Sequence, residues 1–360
     1  MNATVDSPAE LTGDRPATGL VGLAERGALP DSLIRLGIRR LCGRRLQQES
    51  RGGPEQQSLH FTRLIEALRT SPVALHTEAA NTQHYEQPAT FFQLCLGPRL
   101  KYSSCYYPAG VESLEAAEEA MLALYETRAQ LADGQDILEL GCGWGSLTLW
   151  MASRYPNARI TAVSNSHSQG AYIEARCLER GLRNVRIVTA DINSLALGAE
   201  EFDRCVSVEM FEHMRNYEVL LARIAGWLRP AGKLFIHIFA HQALMYPFET
   251  VGEDNWLGRH FFTGGLMPAT DTLAWFQRDL ILEERWKIGG THYQRTANAW
   301  LANQDRNRGQ VLEILSRAYG PELAALWNQR WRMFWMACAE LFGYDQGRQW
   351  LVAHFRFTRL

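Results

Sequence analysis

Three side chains that could bind a cation or move a proton lie within five residues of one another, at Glu209, Glu212 and His213. Their spacing places them on one face if the segment forms a helical turn. A carboxylate there could hold an incoming ammonium group, and the imidazole beside it could take the proton. The sequence therefore predicts a catalytic group. An alternative stays open, in which Glu212 braces the fold and His213 is a satisfied core histidine.

A glycine-rich turn, Gly141-Cys-Gly-Trp-Gly145, is the second candidate for chemistry. It follows a hydrophobic run typical of a buried strand and precedes a helical pattern. Gly141 and Gly143 would let the backbone approach a ligand closely. Glu139, just before the first glycine, could meet a cationic amine. The turn therefore predicts a nucleotide-like cofactor.

The identity of that cofactor depends on the polar residues that follow. A dinucleotide site would have G-x-G-x-x-G and an acid about 20 residues on, but the chain has Asn165 and Gln169 there, which could bond ribose hydroxyls. After the next strand, Asp191 suits the exocyclic amine of adenine and Ile192 could stack on the ring. This set predicts S-adenosyl-L-methionine, with S-adenosyl-L-homocysteine as product. A helix N-cap is the alternative role for Asp191.

The elements that position these residues alternate between strands and helices. Such alternation predicts an α/β fold with a mainly parallel, doubly wound sheet, in which ligands bind beyond the carboxyl ends of the strands. The predicted strands are 136–140, 159–163, 185–189, 202–208 and 233–237, and the predicted helices between them include 146–154 and 169–180.

The rest of the chain divides around this core. Residues 1–18 predict a disordered tail, and residues 19–110 a helical N-terminal region. The cofactor-binding core is expected at 111–244. Aromatic residues and glycines at 245–345 predict a substrate cap with helices, and 346–360 a C-terminal strand that completes the sheet.

Composition narrows the function classes. The 360 residues carry a formal net charge of −2, which disfavours nucleic acid as a partner. The 7 cysteines include no CxxC pair, so we expect neither a disulfide framework nor a metal site. The N-terminus does not resemble a signal peptide, and no apolar run suggests a membrane span. The expected compartment is the cytoplasm.

One segment could touch a membrane surface. Residues 31–46 predict an amphipathic helix that carries Arg35, Arg39, Arg40, Arg44 and Arg45. Such a helix can lie on anionic lipid. The alternative is an ordinary surface helix whose arginines face water.

Several longer runs carry a family resemblance. They resemble the cyclopropane fatty acid synthase superfamily, and within it most of all its coclaurine N-methyltransferase branch. The resemblance extends from about residue 80 to the C-terminus. Besides the glycine turn, the runs are Leu100–Tyr107, Val208–His213, His260–Pro268, Thr291–Thr296 and Ala339–Tyr344.

The resemblance implies a Rossmann-like class I methyltransferase fold with seven strands, a helical N-terminal part, a substrate cap and a homodimer. It implies cofactor contacts at Tyr102 and Ser103. Glu212, His237 and Tyr293 match positions of the bicarbonate site in the lipid-modifying branch. That branch has a cysteine where this chain has Ser104. The substrate-contacting residues expected in this chain are His237, Tyr293, Phe334 and Trp335.

Three hypotheses about function follow. The first is N-methylation of a small aromatic amine, such as a tetrahydroisoquinoline or a phenylethylamine, with a Glu/His pair that assists amine deprotonation. The second is alkylation of the double bond in unsaturated phospholipid chains, in which case the arginine-rich helix would contact membrane. The third is a cofactor-binding protein without catalysis.

Overall fold

The central feature of the fold is a seven-stranded sheet flanked by helices. The computed structural model describes residues 16–75, 88–250, 252 and 255–359. Residues 1–15 of the predicted tail lie outside the described part. The strands are β1 (Asp136–Leu140), β2 (Arg159–Ser164), β3 (Val185–Thr189), β4 (Phe202–Val208), β5 (Leu228–His241), the short β6 (Tyr246–Pro247) and β7 (Leu266–Met267), β8 (Leu280–Ile288) and β9 (Trp350–Arg359).

Helices cover both faces of this sheet and build the two regions around it. They are α1 (Gly19–Glu25), α2 (Asp31–Glu49), α3 (Gly53–Thr70), α4 (Ala89–Cys95), α5 (Leu114–Ala129), α6 (Ser146–Arg154), α7 (His167–Arg180), α8 (Tyr217–Trp227), α9 (Trp256–His260), α10 (Thr291–Arg306), α11 (Arg308–Tyr319) and α12 (Pro321–Gly343).

The strand order is β3-β2-β1-β4-β5-β9-β8, and β6 pairs with β7 in a separate two-stranded sheet. The first five strands are parallel, whereas β9 runs antiparallel between β5 and β8. This arrangement confirms the predicted α/β class. The chain reverses its strand order between β1 and β4, and in such sheets that point opens a crevice at the carboxyl edge.

The burial of each strand explains how well the sequence predicted it. Every residue of β1 is buried, as expected for a strand covered on both faces. The bounds of β1, β3 and β4 agree with the sequence pattern, while β5 extends well beyond the predicted 233–237. The seventh strand, β8, lies inside the range predicted for the cap. Burial alternates only weakly along β8 because it is an edge strand. The hydrophobic pattern therefore did not predict a strand there.

The arginine-rich helix α2 packs against α12. Arg35 and Arg39 donate to the two carboxylate oxygens of Glu340, at 2.7 and 2.5 Å. Arg45 donates to Glu49 and to Asn255. Arg35, Arg39 and Arg45 therefore bind the protein itself. Within the described ranges, no helix combines the length and the apolar character that crossing a bilayer would require.

Candidate functional site

A large cavity opens at the carboxyl edge of β1, β2 and β4, beneath the cap. Both predicted groups of residues reach it. Its cofactor-side lining includes Tyr102, Ser103, Glu139, Gly141, Gly143, Asn165, Gln169 and Ile192, and its cap-side lining includes Glu209, His213, Phe239, Phe248, Phe262, Tyr293, Phe334 and Phe342.

The glycine turn forms the floor of the cavity. Gly141 has a φ of 78°, and a Cβ at this position would lie 2.8 Å from the Met210 side chain. Gly143 has a φ of 52° and faces open space. Both backbones adopt a left-handed conformation that favours glycine. The turn therefore leaves room for a ligand against bare backbone and delivers the chain into α6.

Glu139, the penultimate residue of β1, has a buried carboxyl group. Its Oε2 accepts a hydrogen bond of 2.6 Å from the Thr148 hydroxyl on α6. Burial raises the pKa of Glu139 to about 8, because the charged form loses its hydration. A cationic ligand group beside it would recover that loss and return the carboxyl to its ionised form.

Gln169, in the first turn of α7, presents an unsatisfied amide. Its Oε1 accepts from the Ser164 hydroxyl at 2.8 Å, which orients the side chain. Its Nε2 is buried and has no hydrogen-bond partner in the described structure. A donor of this kind at a cavity wall suits a ligand hydroxyl. Together with Glu139 and the open glycines, it fits the amine and ribose of S-adenosyl-L-methionine.

Asp191 is placed less directly than predicted. Its neighbours Ala190 and Ile192 line the cavity, but Asp191 itself does not. The Asp191 carboxylate accepts the backbone N–H of Asn193 at 2.7 Å, in a turn rather than at the start of a helix. Its role toward adenine stays a prediction.

Glu209 is the centre of the opposite wall. It follows β4 with a φ of 49°, a conformation that costs a non-glycine residue about 1–3 kcal/mol. Oε1 accepts from the Ser104 N–H at 2.9 Å and from His237 Nε2 at 3.1 Å. Oε2 accepts from the Tyr293 hydroxyl at 2.7 Å. Burial raises the pKa of Glu209, while the nearby Lys101 charge and the hydrogen bonds from Ser104 and Tyr293 oppose the rise.

Glu212 does not join this group, and the prediction that it shares a face with Glu209 and His213 is wrong. Residues 211–213 form a 3₁₀ turn, which Glu209 precedes with non-helical backbone. The Glu212 side chain turns away from the cavity, and its Oε1 accepts the Phe239 N–H at 2.7 Å. Burial, followed by the nearby Glu209 charge, raises the pKa of Glu212 well above its usual range. Glu212 therefore braces the turn against β5.

The residues that match the lipid-modifying branch are arranged around Glu209 in this structure. The sequence grouped Glu212 with His237 and Tyr293, whereas in the structure Glu209 contacts both. The Ser104 N–H completes the same set of donors. These three donors bind a carboxylate of the protein itself, so they are already engaged without an external anion.

His213 lies on the cavity wall beside the cap. Its ring stacks on Phe262, with centroids 5.5 Å apart and planes 6° from parallel. Burial and the Arg215 charge lower the pKa of His213 to about 4. The imidazole is therefore neutral at neutral pH.

Two of the four predicted substrate contacts are wrong. His237 is fully buried behind Glu209 and does not line the cavity. Trp335 is also fully buried, with its indole N–H donated to Gln304 at 2.6 Å. Tyr293 and Phe334 do line the cavity. Helical spacing on α12 could not distinguish Phe334, which faces the ligand space, from its neighbour in the core.

Lys101 is a buried lysine that no sequence pattern singled out, and burial lowers the pKa of its amine. Its side chain lines the cavity, and its Nζ donates to Ser103 Oγ at 2.5 Å and to the Ser104 carbonyl at 2.7 Å. These bonds fix the loop whose Ser104 N–H reaches Glu209. The signal was its position in the Leu100–Tyr107 run, where a lysine precedes the tyrosine and serines.

Comparison with known proteins gives a consistent result. The sequence model of the family described as Mycolic acid cyclopropane synthetase matches residues 74–350. (S)-Coclaurine N-methyltransferase of Thalictrum flavum subsp. glaucum is 37% identical over 340 residues, which cover 93% of this chain and 94% of that protein. The cyclopropane-fatty-acyl-phospholipid synthase of Escherichia coli K12 is 30% identical over 280 residues, which cover 76% of this chain and 67% of that enzyme.

A solved structure extends the similarity to the fold. The crystal structure of coclaurine N-methyltransferase bound to N-methylheliamine and SAH superposes with a TM-score of 0.90 at 37% identity. The match covers 94% of this chain and 98% of that one. The similarity therefore includes the N-terminal helices and the cap as well as the sheet.

Proposed function

This chain belongs to the Mycolic acid cyclopropane synthetase family, in its coclaurine N-methyltransferase-like branch, and is an S-adenosyl-L-methionine-dependent N-methyltransferase; we propose that its acceptor is a small aromatic amine of the tetrahydroisoquinoline or phenylethylamine type. The observation that carries the proposal is Glu209, an oriented carboxylate on the wall of a mostly apolar cavity.

The acceptor nitrogen must lose a proton before it can react. With lysine as a guide, an aliphatic amine has a pKa of about 10.4, so its deprotonation at pH 7 costs roughly 4–5 kcal/mol. An apolar surround lowers that cost because it disfavours the ammonium form. The cap contributes Phe239, Phe248, Phe262, Met267, Phe334 and Phe342 to the cavity wall.

Glu209 is our proposed proton acceptor. Ser104, His237 and Tyr293 orient its carboxylate, and burial makes it more basic than an exposed glutamate. The ammonium would first pair with this carboxylate and then pass one proton to it, which leaves the nitrogen lone pair free. Bound S-adenosyl-L-methionine supplies an electrophilic methyl group, and the product nitrogen carries a methyl and a positive charge.

His213 takes a different part from the one expected. The sequence suggested that the carboxylate holds the ammonium and the imidazole takes its proton. The pKa directions favour the reverse division of labour, because burial raises the basicity of Glu209 and lowers that of His213. We infer that neutral His213 accepts a hydrogen bond from the amine and, stacked on Phe262, sets its orientation.

Charge and aromatic faces also suit the reaction's product. A methylated ammonium remains cationic, and aromatic faces attract such cations. Glu209 would carry the released proton and be neutral at that point, so the ion pair that held the substrate is weakened. Proton transfer to Glu209 would thus favour release of the product after each turnover.

The lipid-alkylating alternative has weaker support. Its structural basis was a bicarbonate set and a basic helix for membrane contact. In this chain the donors of that set bind Glu209, and Arg35, Arg39 and Arg45 bind the protein itself. A double bond also has no proton for Glu209 to remove before it reacts. The geometry therefore favours an amine.

A methyl-transfer screen tests the proposal. Purified protein with S-adenosyl-L-methionine would be offered phenylethylamines, tetrahydroisoquinolines and vesicles of unsaturated phospholipid, with products identified by mass. We expect a mass gain of one methyl group on aromatic amines and none on the vesicles. Alkylated acyl chains with unmodified amines would refute the proposal. Glu209→Gln should reduce the amine product to a small residual amount, whereas Phe355→Leu, a core variant on β9, should retain it.

A further inference from the structure

A chain of buried hydrogen bonds runs from Glu209 away from the cavity. His237 on β5 and His354 on β9 are directly paired across the antiparallel strands, and both side chains are fully buried. His354 Nε2 lies 2.9 Å from His237 Nδ1. On the far side, Arg128 Nη1 lies 2.8 Å from His354 Nδ1. The chain therefore joins Arg128, His354, His237 and Glu209 in sequence.

The Arg128 guanidinium sets the direction of every hydrogen bond in this row. Arg128 can only donate, so His354 Nδ1 must accept. The proton on His354 is then on Nε2, which donates to His237 Nδ1. His237 must in turn carry its proton on Nε2, which donates to Glu209 Oε1. All the dipoles point their positive ends at the carboxylate.

A second donor reaches the same histidine. The Tyr125 hydroxyl on α5 lies 2.8 Å from His237 Nδ1 and shares that acceptor with His354. The Lys101 ammonium lies 5.1 Å from the centre of the Tyr125 ring. Basic side chains, Arg128 and Lys101, therefore lie behind both donors to His237.

Neither histidine can accept another proton where it lies. A proton on His237 Nδ1 would face the His354 N–H, and a proton on His354 Nδ1 would face the guanidinium. Burial and the nearby cations also lower the pKa of both rings well below the ordinary value for histidine. This row of hydrogen bonds is thus no route for protons to solvent. It is a fixed row of dipoles that ends at Glu209.

From this geometry we propose that Arg128 and His354 are positioning residues that act through His237 to hold Glu209 oriented and ionised for the incoming ammonium. This inference rests on the proposed role of Glu209 and deepens it. The sequence analysis gave His237 a substrate contact and gave Arg128 and His354 no role. The donors oppose the effect of burial on Glu209, because they stabilise its charged form.

Other groups around Glu209 contribute to its charge and stay in place in the variants below. The titratable groups that face it from the surrounding elements are Lys101 and Cys105 in the loop before α5, Tyr125 on α5, Glu212 and His213 in the 3₁₀ turn, Tyr293 on α10 and Cys338 on α12.

The tautomers of the two histidines give a test that does not depend on activity. Nitrogen-15 NMR of the imidazoles in the full-length protein distinguishes Nε2–H from Nδ1–H rings. We expect both His237 and His354 to be neutral and protonated on Nε2 near neutral pH, with assignments from His354→Gln and His237→Gln. A proton on Nδ1 of either ring, or titration of either ring near pH 7, would overturn the proposal.

The functional test is the decline of kcat/KM at low pH, which is the acid limb of the pH profile and reports protonation of Glu209. His354→Phe removes both nitrogens and should raise the apparent pKa of that limb by about one unit, which is a loss of about tenfold at pH values below it. His354→Gln keeps an N–H that can reach His237 and should restore most of the shift. Arg128→Met, changed at the half-buried end of the chain, should shift the limb in the same direction by less.

Phe355→Leu is the matched control, because it is equally buried on β9 but faces the other side of the sheet. It should lower the melting temperature without moving the acid limb. A purely structural role for His354 predicts the same behaviour from His354→Phe, and that result would overturn the proposal. If Glu209→Gln keeps full activity, the proposed function fails, while the tautomer measurement still decides whether the dipole chain exists.

Discussion

Two buried carboxylates face one cavity, and they are prepared in opposite ways. Glu139 has one hydrogen-bond donor among the described residues, the Thr148 hydroxyl, and burial raises its pKa to about 8. Glu209 has three donors and a nearby lysine. We propose that a ligand that stays through the reaction balances the charge of the first. We propose that the second receives a ligand that arrives as a cation and gives up a proton.

This difference in hydrogen-bond donors would let one apolar cavity hold two positive groups in different ways. A carboxylate with few protein donors gains most from a cationic partner, so it suits tight binding. A carboxylate that the protein already orients gains less free energy when a cation binds. It also needs little rearrangement during the reaction, so it suits a reacting group. We expect binding to depend on Glu139 and turnover to depend on Glu209.

The largest expected effect is that of Glu209→Gln on turnover. Glutamine keeps the shape and can still accept from Tyr293, but it cannot hold or take the proton of an ammonium. We expect kcat to fall by about 10²–10⁴-fold while the Kd for S-adenosyl-L-homocysteine stays within about twofold. Steady-state kinetics and calorimetric titration check this pair of values. A matched loss of cofactor affinity would make Glu209 structural and erase the contrast with Glu139.

Glu139→Gln should show the reverse pattern. The loss of a charged partner for the cofactor's amine should weaken binding by about 10–100-fold, with kcat at saturating cofactor little changed. Thr148→Val, which removes the one donor to Glu139, provides a graded comparison and should weaken binding less. If kcat at saturation instead falls as far as in Glu209→Gln, the two carboxylates do not have separate tasks.

The pH dependence of cofactor binding follows from the pKa of Glu139. The free carboxyl titrates near pH 8, and a bound cationic amine lowers that pKa. Affinity is therefore fully present above pH 8 and falls as the pH drops below it, by up to about tenfold per unit. Titration of S-adenosyl-L-homocysteine binding across this range measures the slope. A flat profile would show that Glu139 is already ionised without ligand.

His213→Phe should have a smaller effect than Glu209→Gln. Phenylalanine keeps the ring stacked on Phe262 and removes the hydrogen-bond acceptor. We expect kcat to fall by about tenfold, which reflects orientation rather than proton removal. If kcat falls as far as in Glu209→Gln, and His213→Asn, which can accept a hydrogen bond but not a proton, fails to restore it, the imidazole is the proton acceptor after all.

The smallest expected effects concern Glu212, which lies near Glu209 but outside the cavity. Glu212→Ala leaves the Phe239 N–H without its acceptor and should lower the free energy of unfolding by about 1–3 kcal/mol. Glu212→Gln retains an acceptor and should cost less than about 1 kcal/mol. Denaturant unfolding of both variants checks the difference. A loss of turnover in Glu212→Gln without a loss of stability would return Glu212 to the catalytic group.

The cofactor half of the site was predictable because its residues lie at or just after the end of a single strand each. A strand, a glycine turn and a helix are local features, so the sequence placed Glu139, Gly141, Gly143 and Gln169 correctly at the cavity. The bounds of β1 followed from its continuous hydrophobic run. Asp191 shows the limit, because a turn next to the cavity directs its side chain to the Asn193 N–H.

The acceptor half could not be predicted to the same degree, because distant segments assemble it. Ser104, Glu209, His237 and Tyr293 come from four separate elements. Helical spacing assigned Glu212 to the group, but a positive φ at Glu209 and a 3₁₀ turn broke that spacing. The pairing of His237 with His354 depends on the register of β5 and β9, which no local pattern reveals.

The central claim is that Glu209 takes the proton of the acceptor amine, and the pH dependence of single-turnover methyl transfer tests it most directly. With enzyme and S-adenosyl-L-methionine in excess over amine, the wild-type rate should show an acid limb set by Glu209. In Glu209→Gln that limb should vanish, and the residual rate should rise tenfold per pH unit up to the pKa of the amine itself. An unchanged acid limb in Glu209→Gln would contradict the account.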